Sequence, residues 1–221
     1  MNQTSDNSTQ RSTNYCVEHV HRIVAAKFIP TISRTAITPN AVTLINMFNS
    51  VIIYWCIWNG KYLAVALLIQ LLYFFDVIDG QLARYKNMTS KFGKFLDNFA
   101  DTVFYITFYV LLGLKFNNGF VSIILYLLIY HLYAITATFY IVPSIKKICV
   151  FKRNGIKKKL MENGIILGMD VSMSNMLVTV LILTPFANMI LYLISGMYFI
   201  DLIYRLIELS WNRRIEEAVK G

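Results

Sequence analysis

The stretch FFDVIDGQLARYKNMTSKFGKFLDNFADTVFY, residues 74–105, places four aspartates within or against strongly apolar segments. Asp76 and Asp79 are three residues apart and Asp97 and Asp101 are four apart, so each pair lies on one face of a helix. The two helices run antiparallel, because only a short loop joins them. We therefore expect both pairs at a similar depth, with their side chains facing each other.

Four carboxylates that converge where water is scarce repel one another strongly unless positive charge neutralises them. The lysines in the intervening loop, Lys86, Lys91 and Lys94, are flexible, and we expect them to face lipid head groups. Divalent cations are the simplest alternative, since hard, oxygen-seeking ions such as Mg²⁺ or Mn²⁺ bind carboxylates. The sequence thus predicts two such ions, bridged by shared carboxylates.

The composition indicates an integral membrane protein. Hydrophobic residues make up 57% of the 221 residues and charged residues only 15%, too few to cover the surface of a soluble domain. The apolar residues are grouped into segments long enough to cross a bilayer. Six spans are predicted, at residues 41–59, 62–82, 95–114, 120–142, 171–186 and 188–209.

Positive charge alternates along these spans. The successive gaps, from the N-terminus to the C-terminus, hold 4, 1, 4, 1, 7, 0 and 4 Lys and Arg residues, where the last number includes Arg205 at the end of the sixth span. By the positive-inside rule, both termini and the loops near 84–94 and 143–170 are expected in the cytoplasm. The net charge of +9 therefore reflects topology, and it does not indicate nucleic-acid binding. The abundance of Ile, Asn and Lys suggests an AT-rich genome and favours a prokaryotic cell membrane.

The segments outside the spans are predicted as follows. Residues 1–14 are polar and expected to be disordered. Residues 15–39 mix apolar and basic side chains in the pattern of an amphipathic helix in the membrane interface, with Arg22 and Lys27 reaching toward water. Asn40 is predicted to cap the first span, which opens a transmembrane domain at 40–210, and 211–221 form a cytoplasmic tail. The three scattered cysteines are interpreted as free thiols.

Small residues flank the aspartates. Gly80 directly follows the first pair, Ala83 lies close behind it, and Gly93 lies one turn before Asp97, so a phosphate can approach the backbone closely. Arg84 supplies a guanidinium suited to bidentate phosphate contact. Metal ligands, small residues and one arginine together predict a cradle for a diphosphate.

The complete pattern is Asp76-x2-Asp79-Gly80-x2-Ala83-Arg84-x8-Gly93-x3-Asp97-x3-Asp101. At every position it resembles the signature of the CDP-alcohol phosphotransferase (CDP-alcohol phosphatidyltransferase) family of integral membrane enzymes. The signature covers 26 residues. Six spans, with the motif between the second and third, are also similar to that family.

The resemblance implies a fold, a site and a set of roles. The implied fold is an all-α, homodimeric membrane protein with six transmembrane helices after an interfacial helix, and the implied cofactors are two Mg²⁺ or Mn²⁺ ions. All four aspartates are implied as metal ligands, with Asp101 as general base and Asp97 as its catalytic neighbour. The implied nucleotide-binding residues are Asp76, Gly80, Ala83, Arg84 and Gly93.

The implied reaction is attack of an acceptor hydroxyl on the β-phosphorus of a CDP-alcohol, with release of CMP, in phospholipid or related lipid synthesis. Two alternatives stay open. The donor is CDP-diacylglycerol and the acceptor a small polar alcohol, or the donor is a soluble CDP-linked head group and the acceptor a lipid. A site at the cytoplasmic face lets a soluble nucleotide meet a lipid.

Two other kinds of protein are considered. A cation transporter could use intramembrane aspartates as a transport site, but the flanking Gly-x2-Ala-Arg and a site near the membrane edge argue against it. A catalytically silent adaptor is disfavoured by the complete set of ligands.

Basic residues outside the motif complete the predicted site. Asp201 and Arg205, four apart, are predicted to form an internal ion pair. Lys147, Arg153 and Arg205 are also candidates for contacts with an acceptor or lipid phosphate, although the loop lysines as a group are first explained by topology.

Overall fold

The structure is a computed structural model that describes residues 14–148, 151–152, 155–163, 165–166 and 168–220. The N-terminal segment predicted as disordered lies outside the described residues, apart from Asn14. The described residues form nine α-helices: α1 (Cys16–Ser33), α2 (Pro39–Trp58), α3 (Tyr62–Tyr85), α4 (Lys91–Lys115), α5 (Phe120–Thr136), α6 (Val142–Lys147), α7 (Gly155–Glu162), α8 (Val171–Leu181) and α9 (Ile190–Lys220).

The predicted all-helical class is confirmed, with one small addition. Two residue pairs, β1 (Asn14–Tyr15) and β2 (Ile165–Ile166), form a short parallel bridge between the N-terminus and the loop before α8. One π-helical turn, Ala137–Ile141, joins α5 to α6 without a break, and a 3₁₀ turn, Ala187–Met189, leads into α9.

Among the described residues, five helical segments are long and apolar enough to cross a membrane, as expected of an integral membrane protein. They are Pro39–Trp58, Tyr62–Tyr85, Lys91–Lys115, Phe120–Lys147 and Ala187–Glu216. The segment predicted at 171–186 differs, since its helix, α8, has only 11 residues. At 1.5 Å per residue such a helix covers about half of a 30 Å hydrocarbon core.

Local sequence signals fix where α2 and α4 begin. Thr38 is the N-cap of α2, since its hydroxyl accepts from the Ala41 amide at 3.2 Å, and Pro39 occupies the first turn. The prediction that Asn40 caps this helix is therefore wrong by two residues. Ser90 caps α4 by accepting from the Gly93 amide at 2.9 Å.

The main core lies among α2, α3, α4, α5, α8 and α9 and is almost entirely apolar and aromatic. Buried amides hold α2 and α3 together: Asn46 donates to the Leu72 carbonyl at 3.0 Å and Asn49 to the Leu68 carbonyl at 3.1 Å. Such bonds matter in a bilayer, because the apolar surroundings offer the amides few other partners.

Helix α1 packs against this bundle by one face. Ala25 and Ile29 are buried in a second apolar cluster with side chains of α2 and α3. Val20 and Phe28 lie on the exposed side of the helix. The prediction that Arg22 reaches toward water is wrong, because its side chain is only 14% exposed and pairs with Glu18.

Candidate active site at a carboxylate cluster between α3 and α4

A tight turn returns the chain from α3 into α4. The Met88 amide donates to the Ala83 carbonyl at 2.8 Å, and Asn87 has a φ of 54°, a left-handed conformation that asparagine tolerates. Lys86 donates to the carbonyls of Thr35 (2.9 Å) and Ile37 (2.7 Å), which anchors the turn to the segment between α1 and α2. The Lys86 ammonium, which was predicted to face lipid head groups, therefore also binds backbone carbonyls.

Three of the four motif aspartates converge across this helix pair. One carboxylate oxygen each from Asp76, Asp97 and Asp101 lies within 4.8 Å of the other two. All three residues are partly buried. Asp97 and Asp101, four residues apart on α4, therefore face Asp76 on α3 as predicted from the sequence. Together they form a compact set of oxygen donors.

The fourth aspartate is close by but turned to another partner. Asp79 is 6% exposed, and its Oδ2 accepts a 2.8 Å hydrogen bond from the hydroxyl of Thr43 on α2, which is equally buried. Asp79 is not part of the three-residue cluster that the described residues form. Thr43 was not predicted as a site residue, although its place one turn after the α2 N-cap puts it at the same end of the bundle.

A cavity of about 650 Å³ adjoins the cluster. Its walls include most of the predicted signature, namely Asp79, Gly80, Ala83, Arg84, Gly93 and Asp97. Asp76 and Asp101 are not on its lining, so the predicted nucleotide contact by Asp76 has no counterpart on this wall. The lining also contains Pro39, Asn40 and Thr43 from α2 and Met88, Thr89, Ser90, Lys91, Lys94 and Asn98 around the turn, none of which was predicted as a binding residue.

The structure shows why Gly80 and Gly93 are small residues. A β-carbon on Gly80 would lie 3.7 Å from the Arg84 guanidinium, which folds back over this position. A β-carbon on Gly93 would lie 3.0 Å from Asn40 Oδ1 and 3.1 Å from Ser90 Oγ. Gly93 thus permits close packing of α4 on the start of α2 and keeps the cavity open.

Positive charge reaches the site from two directions. Lys91, Lys94 and Arg84 line the cavity, so they surround the space there with positive charge. From α1, Arg22 Nε donates to Glu18 Oε1 at 2.7 Å, and the Arg22 charge is near enough to act on the Asp76 carboxylate. The i, i+4 spacing of Glu18 and Arg22 is the signal that could have revealed this pair.

Helix α8 packs against α3, which carries Asp76, and against α1. Asp170 is its N-cap and accepts from the Met173 amide at 3.0 Å and from the Ser172 hydroxyl. Burial raises the pKa of Asp170, hydrogen bonds from Met173 and Ser172 act to lower it, and the Glu18 charge raises it again. Helix α1, which carries Glu18, packs against α8 as well as α3.

The predicted ion pair on α9 is present. Arg205 Nε lies 2.7 Å from Asp201 Oδ2, and the side chains are only 14% and 12% exposed. The same carboxylate oxygen accepts from the Met169 amide at 3.2 Å and lies 2.7 Å from the Tyr133 hydroxyl. Asp201 thus fastens the segment before α8 to α5 and α9. Of the other predicted acceptor contacts, Lys147 is exposed at the end of α6 and Arg153 lies outside the described residues.

The donor set fits hard divalent cations. Three carboxylates with oxygens this close supply the ligands that Mg²⁺ and Mn²⁺ prefer, and they would repel one another if all were charged without a cation. Asp79 adds a further carboxylate on the cavity side.

Fold and site together define a membrane-embedded protein with a carboxylate centre beside a cavity that is lined in part by basic side chains. A sequence profile of the family described as CDP-alcohol phosphatidyltransferase matches residues 36–209, and the chain belongs to this family. It is similar to the CDP-diacylglycerol–glycerol-3-phosphate 3-phosphatidyltransferase of Aquifex aeolicus (strain VF5), with 36% identity over 78 residues. The match spans 35% of this chain and 43% of the length of that enzyme.

Proposed function

We propose that this protein transfers a phosphatidyl or phospho-alcohol group from a CDP-alcohol donor to an acceptor hydroxyl and releases CMP. The observation that carries the proposal is the convergence of Asp76, Asp97 and Asp101 beside a cavity walled by the rest of the family signature. Family membership supports the same reaction class.

Each part of the site has a role in this reaction. Asp76, Asp97 and Asp101 would hold Mg²⁺ or Mn²⁺, with Asp79 completing the set from the cavity side. When bound, these cations neutralise the donor diphosphate and the departing CMP. Gly80 and Gly93 leave room for the nucleotide.

The chemical step uses one carboxylate as a base. Asp101 accepts the proton of the acceptor hydroxyl, the hydroxyl oxygen forms a bond to the β-phosphorus, and the bond from that phosphorus to the bridging oxygen breaks. CMP leaves with the electron pair of the broken bond. Arg84, at the mouth of the cavity, orients the diphosphate through paired hydrogen bonds.

The similar bacterial enzyme suggests which donor and acceptor to test first. Its name specifies CDP-diacylglycerol as donor and glycerol 3-phosphate as acceptor. We therefore propose that the lipid is on the donor side and the acceptor is a small polar alcohol. The candidates for contact with an acceptor phosphate remain Lys147, Arg153 and Arg205, although Arg205 also forms an ion pair with Asp201.

The proposed topology has six crossings, with α8 and the turn after it as the fifth. The beginning of α8 is proposed on the side of the bundle that carries the site, and the contact of Asn175 with the hydroxyl of Tyr105, one turn after Asp101, supports this. The turn after α8 lies at the opposite end of the bundle, where Asn118 donates to the Asn188 carbonyl. An even number of crossings after the basic 143–170 loop keeps the C-terminus on the same side as that loop, as the positive-inside rule requires.

This topology places both termini and the site at the cytoplasmic face, and α1 in the membrane interface. The exposed apolar side chains Val20 and Phe28 support this position for α1. A homodimer and a prokaryotic cell membrane stay predictions; the mass of the detergent-solubilised protein tests the first.

The test is a CMP-release assay on the full-length protein with Mg²⁺ or Mn²⁺, screened over CDP-diacylglycerol and soluble CDP-head groups with their matching acceptors. We expect release with one pairing, and loss of at least about a thousandfold in Asp101→Asn, which keeps the shape but not the base. The variant should still insert and elute as the wild type does. Near-normal transfer by Asp101→Asn would refute its role, and cation flux without nucleotide would favour a transporter.

A further inference from the structure

The Glu18–Arg22 pair on α1 is a buried charge pair beside the proposed active site. Arg22 Nε and Glu18 Oε1 are 2.7 Å apart, with the side chains 14% and 12% exposed. An exposed pair on an interfacial helix would contribute little, but a buried pair has to recover a large desolvation cost. Its turn of α1 contacts Tyr73 and Gln81, which lie on either side of Asp76 along α3, so the pair lies on the part of α3 that carries this aspartate.

The guanidinium has a hydrogen-bond donor to spare. The Arg22 Nε donates to Glu18, whereas the Arg22 Nη1 is buried and has no hydrogen-bond partner among the residues that the structure describes. Buried N–H groups of proteins are nearly always paired, because an unpaired one loses its hydration without compensation. A donor of this kind, on a turn of α1 that packs against α3, is suited to an anion that approaches the carboxylate cluster.

Helix α1 holds this guanidinium in place. Ala25 and Ile29, one and two turns further along, are buried against α2 and α3. The buried Gln81 of α3 donates to the Arg22 carbonyl at 3.4 Å, and the ring of His21 meets the ring of Tyr73 edge-on at 4.9 Å. Contacts before, at and after Arg22 therefore fix the turn that carries it, so the side chain is preorganised.

The two arginines near the site come from different elements. Arg84 lines the nucleotide-sized cavity, whereas Asp76, on which Arg22 acts, is not on that lining. Arg22 thus approaches the cluster from α1, outside the cavity wall. An arginine guanidinium is suited to phosphate, because its planar fork can donate two parallel hydrogen bonds to the phosphate oxygens.

We propose that Arg22 is a substrate-binding residue whose guanidinium, oriented by Glu18, donates to a phosphate oxygen of the substrate beside Asp76. This inference rests on the proposed function. The phosphate is either the β-phosphate of the CDP donor or the phosphate of a phosphorylated acceptor, since both present phosphate oxygens that accept hydrogen bonds. Helix α1 is then part of the active site as well as an interfacial helix.

The variants are Arg22→Gln, which removes the charge, and Arg22→Lys, which keeps the charge but loses the planar fork. Lys27→Gln is the matched control, because Lys27 is on the same helix and exposed, and the same charge is removed. All are purified at full length. The affinities for CDP and for CMP are measured by calorimetry with Mg²⁺, and KM is measured for glycerol 3-phosphate and for an acceptor without phosphate.

If Arg22 holds the donor β-phosphate, Arg22→Gln weakens CDP binding by roughly 10- to 100-fold and leaves CMP binding within about twofold. If it holds the acceptor phosphate, KM for glycerol 3-phosphate rises by a similar factor and CDP affinity is unchanged. Either result supports the proposal, with Arg22→Lys intermediate and Lys27→Gln like the wild type.

Two outcomes overturn it. Unchanged CDP affinity together with an unchanged KM would show that Arg22 touches no substrate phosphate. Equal losses for CDP and CMP with a lower melting temperature would show that Arg22 serves structure alone. Absence of CMP release from both the wild type and Lys27→Gln would instead count against the proposed function, and so separates the two failures.

Discussion

The hydrogen bond from Thr43 to Asp79 offers the sharpest single perturbation of the site. Both residues are 6% exposed, the oxygen–oxygen distance is 2.8 Å, and both line the proposed nucleotide cavity. Thr43→Val keeps the shape of the side chain and removes only the donor. The Asp79 carboxylate then loses a hydrogen bond that water cannot easily replace at this depth.

The expected magnitude follows from the charge on the acceptor. A buried hydrogen bond to a charged group contributes about 1.5–3 kcal/mol, so kcat/KM for CMP release should fall by roughly 10- to 150-fold if the bond fixes Asp79 for catalysis. Thr43→Ser keeps the hydroxyl and should retain activity within about threefold. Both variants should insert and elute as the wild type does.

The assay is steady-state CMP release in detergent or nanodiscs, with the concentrations of CDP donor and of Mg²⁺ varied in turn. We expect the Mg²⁺ requirement to rise in Thr43→Val, because a reoriented Asp79 is a poorer ligand. Wild-type kinetics in Thr43→Val would refute the reasoning, since Asp79 would then need no support from α2. Equal losses in Thr43→Ser would also contradict it, because the hydroxyl would not be the relevant group.

Two further predictions concern packing and the cavity. Asp201→Asn should destabilise the protein by about 3 kcal/mol, measured by thermal unfolding in detergent, because Arg205 keeps a buried charge without its carboxylate; an unchanged melting temperature would contradict a structural role for this pair. Gly93→Leu should weaken CDP binding at least about tenfold in calorimetry, because its β-carbon would lie 3.0 Å from Asn40 Oδ1 and the rest of the side chain needs cavity space. Gly93→Ala, the smaller control, should lose less, and equal affinity in all three proteins would argue against a nucleotide in this cavity.

Much of the site could be predicted from sequence because its signals are local. Helix periodicity placed Asp97 and Asp101 on one face, and the short loop implied that they meet Asp76. The family signature named the small residues and Arg84. These inferences need only spacing along two neighbouring helices, which the sequence states directly.

The contributions of α1 and α2 could not be predicted in this way. Thr43 reaches Asp79 across 36 positions of sequence, and Arg22 is held against α3 only because α1 docks there. A helix with basic and apolar residues looks the same in sequence whether it lies on a membrane surface or buries its arginine. The docking is decided by tertiary packing at Ala25 and Ile29.

The fifth span shows a similar limit. Hydropathy continues through 171–186, but the helix ends at Leu181 and the chain turns through Thr184 and Pro185 before α9. A run of apolar residues predicts burial in the bilayer, yet it does not state how many of them are helical. Thr184 and Pro185 within this run were the sequence signal that the helix ends before residue 186.

The most direct test of the central claim is the number of Mn²⁺ ions bound, measured by electron paramagnetic resonance with and without CMP. We predict that the wild-type protein binds two ions per chain in the presence of CMP and that the double variant Asp97→Asn, Asp101→Asn binds at most one, weakly. Mn²⁺ binding that is the same in both proteins, or absent from the wild type with CMP present, would contradict the account.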